Sequence, residues 1–365
     1  MDDFFSGKKA ITTLKMISPG TSLRIGIDHV LKAKTGGLIV IADSDEVMKI
    51  VDGGFNINAD YSPAYLYELA KMDGAIVLSG DIKKILYANA QLIPDYSIET
   101  GETGTRHRTA ERVAKQTGGI VIAISQRRNV ITVYQGDKKY VIDDISKIFT
   151  KANQALQTLE KYKSVLDQAI ISLNALEFKD LVTLYDVVLV VQKIEMVMRV
   201  TNIIEKYIVE LGVEGMLISM QVDELMGTTK IDQNQILKDY QRNDMTLSEF
   251  KKKIISLSSE ELLDLANIAK MIGYTGFSES MDMPIRPRGY RILNKIHRLP
   301  STIIENLVNY FEDFQDILNA SIEDLDDVEG IGEIRAKYIK NGLIKMQELS
   351  LIDLSLIHIS EPTRL

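Results

Sequence analysis

The sequence predicts a multidomain protein: an α/β N-terminal domain with helices on a mixed sheet, an all-α middle, and an all-α C-terminal domain. Three observations predict it. Apolar runs of strand length alternate with helical periods through about residue 145. From Ile145 to about Gly276 the chain is rich in Leu, Ile, Lys and Glu at helical spacing and free of proline. Pro284 and Pro287 then open a stretch of short helices. The boundaries that follow are 1–145, 146–285 and 286–354.

In chain order, Ser22 to Lys34 has a helical period that Gly36-Gly37 ends. GLIVIAD and VMKIVDGG read as short strands. SPAYLYELAKM reads as a helix with Ser62 as its cap and Pro63 at its first position. AIVLSGD and KKILYANAQL are strands joined by a turn near Gly80-Asp81. Thr105 to Gln116 is helical and Gly118-Gly119 stops it. IVIAIS, VITVYQGD and KKYVID complete the sheet. The middle stripes (Leu156, Leu159, Tyr162, Leu166; then Ile194, Val197, Met198) read as bundle core of a scaffold or oligomerisation unit. The last short-helical stretch ends in LDDVEGIGEIRAKYIKNGL. Residues 355–365 resemble translated cloning or sequencing-adaptor sequence, a non-native tail with no role.

The 365 residues are 45% hydrophobic and 26% charged, as in soluble globular proteins. With no cysteine, disulfides and thiolate metal sites are excluded, which fits a reducing cytosol. The four histidines (His29, His107, His297, His358) are too scattered for a dense ligand cluster. A net charge of -8 argues against a coat of nucleic acid but leaves room for a local basic patch. The start MDDFFSGKKA carries no signal peptide, and the apolar run Val187–Val191 is far too short to span a bilayer. A cytoplasmic protein with no membrane partner is expected.

One stretch of this acidic chain is conspicuously basic. In GTRHRTAERV, Arg106, His107 and Arg108 stand side by side at the start of a helix, with Arg112 a turn later. A helix N-terminus presents unpaired N–H groups and the positive end of the dipole, so cations there are disfavoured unless an anion is present. Gly101 and Gly104 let the backbone come close to such a ligand. On spacing alone, an anion site and a solvated basic loop fit equally. Asp73-Gly74-Ala75, at the entry to a very apolar strand, adds an acid placed to hold a divalent cation or take a proton from a hydroxyl. Alone it reads as an ordinary helix-ending Asp-Gly turn. No GxxxxGKS/T and no GxGxxG follows a strand, which excludes the P-loop and dinucleotide-binding fingerprints.

Taken together, the spaced pair DGA and GTRHRTA resembles the signature of the diadenylate cyclase domain. The resemblance implies that two ATP molecules become cyclic di-AMP and two pyrophosphates with Mg2+ or Mn2+. It implies that Asp73 binds the metal and helps activate the ribose 3′-hydroxyl, that Gly74 (in the turn with Ala75) touches the ribose, and that Leu92 meets the adenine through its main chain. Thr105, Arg106, His107, Arg108 and Thr109 would hold the phosphates, with Ser125, Arg127 and Arg128 as further phosphate or base contacts.

VEGIGEIRAKYI resembles a helix-hairpin-helix motif. Gly330 and Gly332 would turn backbone N–H groups toward a DNA phosphate, Ile331 would pin the hairpin to the core, and Arg335 and Lys337 would add charge. The run RPRGYRILNKIHR, with five Lys/Arg and no acid, extends that patch, whereas Asp326, Asp327 and Glu329 oppose it. A hairpin used only for packing is the competing reading. The whole arrangement resembles the DNA-integrity-scanning diadenylate cyclases, the DisA family, over the chain to about Leu354. That implies an octamer with paired cyclase domains, and branched DNA such as a Holliday junction as a ligand that lowers cyclase activity. The alternative is a non-catalytic DNA-binding scaffold that senses ATP or cyclic di-AMP. An ATP-hydrolysing repair enzyme ranks behind both for want of a phosphate-cradling lysine motif.

Overall fold

A computed structural model describes residues 8–242, 245–275 and 280–360. Contacts divide the chain into two compact units, Met1–Ala155 with Ile203–Met220, and Leu156–Asn202 with Gln221–Leu365.

The first unit is built on one mixed sheet. Its elements are α1 (Lys8–Ile17), α2 (Ser22–Ala33), β1 (Gly37–Ile41), α3 (Asp45–Ile50), β2 (Val51–Asp52), β3 (Phe55–Asp60), α4 (Pro63–Leu69), β4 (Ala75–Leu78), β5 (Lys84–Leu92), α5 (Thr105–Thr117), β6 (Ile120–Ser125), β7 (Val130–Gln135) and β8 (Lys138–Ile142). The strands run in the order β2-β5-β4-β1-β6-β7-β8, and β3 also pairs with β5. Only β1 and β4 pair in parallel, Ile39 opposite Ile76, while β6 lies antiparallel to β1. Strand alternation sends Ile39 and Ile41 into one core with Leu23, Ile27 and Leu66, and Leu38 and Val40 into a second with Val47, Ala110 and Val113. With both faces covered, β1 and β4 are buried at every position, which is why they read as unbroken apolar runs.

Two expectations change here. The first half of VMKIVDGG is helix: Asp45 and Glu46 favour a first helical turn, and Val47 and Ile50 bury one face, leaving only Val51–Asp52 as strand. The left-handed residue ending α2 is Lys34 (φ 56°), its N–H returning to Leu31 O, ahead of Gly36. The cap at Ser62 forms as expected, accepting from the Tyr65 N–H, and Gly118 closes α5 in the left-handed region.

α6 (Ile145–Phe178) and α7 (Leu184–Leu211) are the long helices the sequence implies, followed by α8 (Met216–Met226). The second unit continues with α9 (Thr229–Tyr240), α10 (Leu247–Ser256), α11 (Ser259–Leu263), α12 (Leu265–Met271), α13 (Tyr290–Leu293), α14 (Ser301–Tyr310), α15 (Phe314–Asn319), α16 (Ile322–Asp326) and α17 (Glu333–Ser360). α17 is long, so the C-terminal stretch is not made of short helices alone. Leu293, Leu307, Phe314, Leu325, Ile331, Ile339 and Leu343 close one core there with Phe178. The candidate tail lies partly outside the described residues, and nothing in its sequence bears on the site. Among the described residues no helix is long and apolar enough to cross a membrane.

Candidate functional site

A cavity of about 650 Å³ opens in the first unit, lined by Asp73 and Gly74, by residues 102–107, and by residues 124–128. Three sequence segments meet there because β1 brings β4 and β6 to its two sides, and α5 packs across the same sheet. The volume lies in the range of small-molecule sites.

Asp73 stands in the turn before β4 with a fully exposed side chain (105%), and its carboxylate is 4.0 Å from the Arg106 guanidinium. Gly74 has φ 98°, and a Cβ there would come within 2.8–2.9 Å of the Asn89 and Ala90 backbone. Close approach to β5 and the positive φ account for a glycine at this position. Gly74→Ala is expected to lower unfolding stability by about 2 kcal/mol, the range for strained backbone positions. A thermal melt reads it directly, and an unchanged melting temperature would contradict the close approach.

Arg106, His107 and Arg108 occupy the first turn of α5, where Gly104 serves as N-cap without a side-chain hydrogen bond and no acid offsets the cations. The leading N–H groups of that helix are thus without intrahelical acceptors beside the cavity. Arg106 reaches the cavity because Gly36 leaves room: a Cβ at Gly36 would lie 2.4 Å from its Nη1. Sequence reasoning read Gly36 only as a helix stop. Its double glycine was the available signal.

Ser125 ends β6 and Arg127 and Arg128 follow in the β6–β7 turn, with the Arg128 N–H donating to Ser125 Oγ at 3.2 Å. Thr105 joins them in the lining. Ala75, Leu92, Arg108 and Thr109 are not among the residues that line the cavity. Ala75 and Leu92 are buried in β4 and β5, Arg108 is exposed on α5, and Thr109 is half-buried one residue further on. Arg112 faces elsewhere, donating to the Ile98 and Tyr96 carbonyls and stacking on the Tyr96 ring, so it braces the loop after β5.

Glu102 lines the cavity too, and sequence reasoning missed it. Arg106, Arg127, Arg128 and the half-buried His107 outnumber Asp73 and Glu102, so the cavity suits a polyanion. Burial pushes the His107 pKa below the usual imidazole range, and Lys139, Arg128 and Arg106 add to that; Glu102 pulls the other way. Among the described residues no three His, Asp or Glu side chains cluster to hold a metal. A lone exposed carboxylate beside a pocket suited to a polyanion fits an ion such as Mg2+, which keeps water and shares its remaining ligands with bound phosphates.

In the second unit, Val328 to Gly332 turn tightly between α16 and α17, with Gly330 at φ 80° and Ile331 buried in the core. Gly332 faces open space. Arg335 donates to the Gly330 carbonyl and Lys337 pairs with Glu333 at 2.5 Å, so both predicted cations already have partners. The basic run is also less available than its composition suggests. Arg291 is buried against Glu177, and Arg286 bridges Asp180 (2.6 Å) and Asp313 (3.0 Å).

Comparison with known proteins places this geometry in context. Residues 24–139 match the family model described as DisA bacterial checkpoint controller nucleotide-binding, and residues 142–281 match the one described as DisA bacterial checkpoint controller linker region. The chain is 74% identical to the DNA integrity scanning protein DisA of Clostridioides difficile (strain 630), over 97% of this chain and 99% of that one. It is 59% identical to the protein of the same name from Clostridium botulinum (strain Kyoto / Type A2), over 95% of this chain and 98% of that one. A crystal structure of DacA from Staphylococcus aureus aligns at 21% identity and a TM-score of 0.31, over 39% of this chain and 94% of that one.

Proposed function

The chain belongs to the DisA family, and from that premise we propose that it is a diadenylate cyclase that condenses two ATP molecules into cyclic di-AMP and two pyrophosphates. The observation that carries the proposal is the meeting of Asp73 with Arg106, 4.0 Å apart, at a cavity lined by the start of α5, whose glycine cap offers no side-chain hydrogen bond.

That geometry supports the following division of labour. Arg106 offers a planar two-pronged contact to phosphate oxygens, and the N–H groups of Thr105 to His107 add fixed dipoles. Ser125, Arg127 and Arg128 add polar and cationic groups to the same lining. Asp73 would hold Mg2+ or Mn2+, and that ion, when bound, would polarise phosphate oxygens and neutralise their charge. Each ribose 3′-oxygen forms a bond to the other nucleotide's α-phosphorus as the α–β bridging bond breaks and pyrophosphate leaves. Asp73 is the side chain placed to favour loss of the hydroxyl proton. Alignment and charge neutralisation carry most of the rate in such transfers. One chain supplies one half-site, so two copies must face each other, and an octamer of such pairs is the assembly we propose.

Incubation with ATP and Mn2+ followed by mass analysis tests the reading. Cyclic di-AMP and pyrophosphate support it. ADP and phosphate, or binding without turnover, would leave a hydrolase or a nucleotide sensor instead.

We also propose that the α16–α17 turn binds the backbone of branched DNA such as a Holliday junction, and that occupancy there lowers cyclase activity. Since Arg335 and Lys337 are engaged, backbone N–H groups at the start of α17 are the principal donors. Gly332→Val adds bulk where the turn is open, so it should weaken junction binding at least about tenfold, the order of one lost charged hydrogen bond, with little change in melting temperature. Unchanged affinity in a gel-shift titration would remove the turn from DNA binding.

A further inference from the structure

Glu102 lies in the loop ahead of α5, nearly enclosed (12% side-chain exposure) yet lining the cavity. An acid inside a pocket suited to a polyanion opposes its ligand, so its presence calls for a reason. The carboxylate accepts from the Tyr134 hydroxyl at 2.8 Å and pairs with Lys139 of β8. Tyr134, buried in β7, turns its ring edge-on to His107 with centroids 6.4 Å apart. One phenol therefore grips the loop acid with its hydroxyl and packs the imidazole with its ring. The loop is tied again where the Glu102 N–H donates to Thr100 Oγ1 (3.1 Å) and the Thr100 hydroxyl donates to Glu111 (2.6 Å).

We propose that Glu102 is a positioning residue of this site: it ties the loop ahead of α5 to Tyr134 and Lys139, and it keeps His107 ready to carry a proton when the phosphates arrive. The proposal rests on the nucleotide reading above. Its charge logic is simple. Among the described residues, the charges that act most strongly on His107 are Glu102, Lys139, Arg128 and Arg106, with the Tyr134 ring edge-on beside it, and Glu102 is the anion in that set. Burial and three cations oppose imidazolium; Glu102 favours it. Lys139 keeps the same carboxylate from standing as an unpaired charge before the triphosphate.

The test is the pH profile of kcat/KM for ATP. Glu102→Gln keeps an acceptor for the Tyr134 hydroxyl but loses the charge. Protonated His107 should then persist only to lower pH, and the alkaline limb should move down by on the order of one pH unit, the effect of one nearby charge in a partly hydrated pocket. Tyr134→Phe should raise KM with a smaller displacement of the limb. In a His107→Asn background, Glu102→Gln should displace nothing. An alkaline limb unmoved in Glu102→Gln, from an enzyme that makes cyclic dinucleotide, overturns the role of Glu102 alone. Wild-type protein that makes none overturns the nucleotide reading. NMR titration of His107 without nucleotide, assigned by its loss in His107→Asn, then still decides, because an unchanged midpoint in Glu102→Gln rejects the proposal.

Discussion

Asp73→Asn is expected to slow cyclisation about a thousandfold or more, the combined scale of losing a proton acceptor and a charged stabiliser, while the variant still binds ATP. Asn has nearly the shape of Asp, and the Asp73 side chain is wholly exposed, so the substitution leaves no cavity and no buried orphan. Its recorded polar neighbour is Arg106 at 4.0 Å, a distance at which a surface ion pair contributes little to stability. The melting temperature should therefore stay put while kcat collapses. The phosphate contacts proposed for Arg106 and the start of α5 are untouched, so binding of a non-reactive ATP analogue, read by calorimetry, should be close to wild type. Normal turnover would take Asp73 out of the chemistry.

Removing Arg291 should produce the largest change in stability, about 3–5 kcal/mol, the scale of breaking a buried ion pair from one side. Arg291 and Glu177 are both essentially without solvent exposure and face each other. Glu177 also accepts from the Tyr240 hydroxyl at 2.5 Å, and Asp239 accepts from the N–H groups of Gly289, Tyr290 and Arg291. Burial works against the Arg291 charge, but Glu177 and its neighbours more than compensate, so the guanidinium is held above its ordinary pKa. Arg291→Met strands the Glu177 carboxylate, and a urea melt should show the loss. Glu177→Leu combined with Arg291→Met should recover much of it, since apolar pairs often replace buried ion pairs at little cost. Equal losses in the single and double variants would mean that packing, and not the stranded charge, sets the stability.

Local pattern carried the sheet well. β1, β4, β5, β6, β7 and β8 all announced themselves through apolar runs, and Ser62, Pro63 and Gly118 marked helix ends by chemistry that acts within a few residues. β3 went unread because FNINAD is polar and mostly exposed, and its pairing with β5 depends on residues some thirty positions away. Arg286 and Arg291 looked like a basic patch because their acids, Asp180 and Glu177, lie more than one hundred residues earlier in the chain. Glu102 was hidden for the same reason: nothing near it in sequence signals Tyr134 or Lys139. Asp73, Gly74, Arg106 and His107 were marked by local chemistry, Thr105, Ser125, Arg127 and Arg128 by family resemblance, and the structure brings all eight to one cavity. Leu92 was placed by family resemblance, and its side chain is buried away from that lining.

A crystal of this protein soaked with a non-reactive ATP analogue and Mn2+ tests the central claim most directly. The account predicts triphosphate density between Asp73 and the start of α5, in contact with Arg106 and with the Ser125–Arg128 turn. Density for the nucleotide anywhere else, with that cavity left empty, would contradict it.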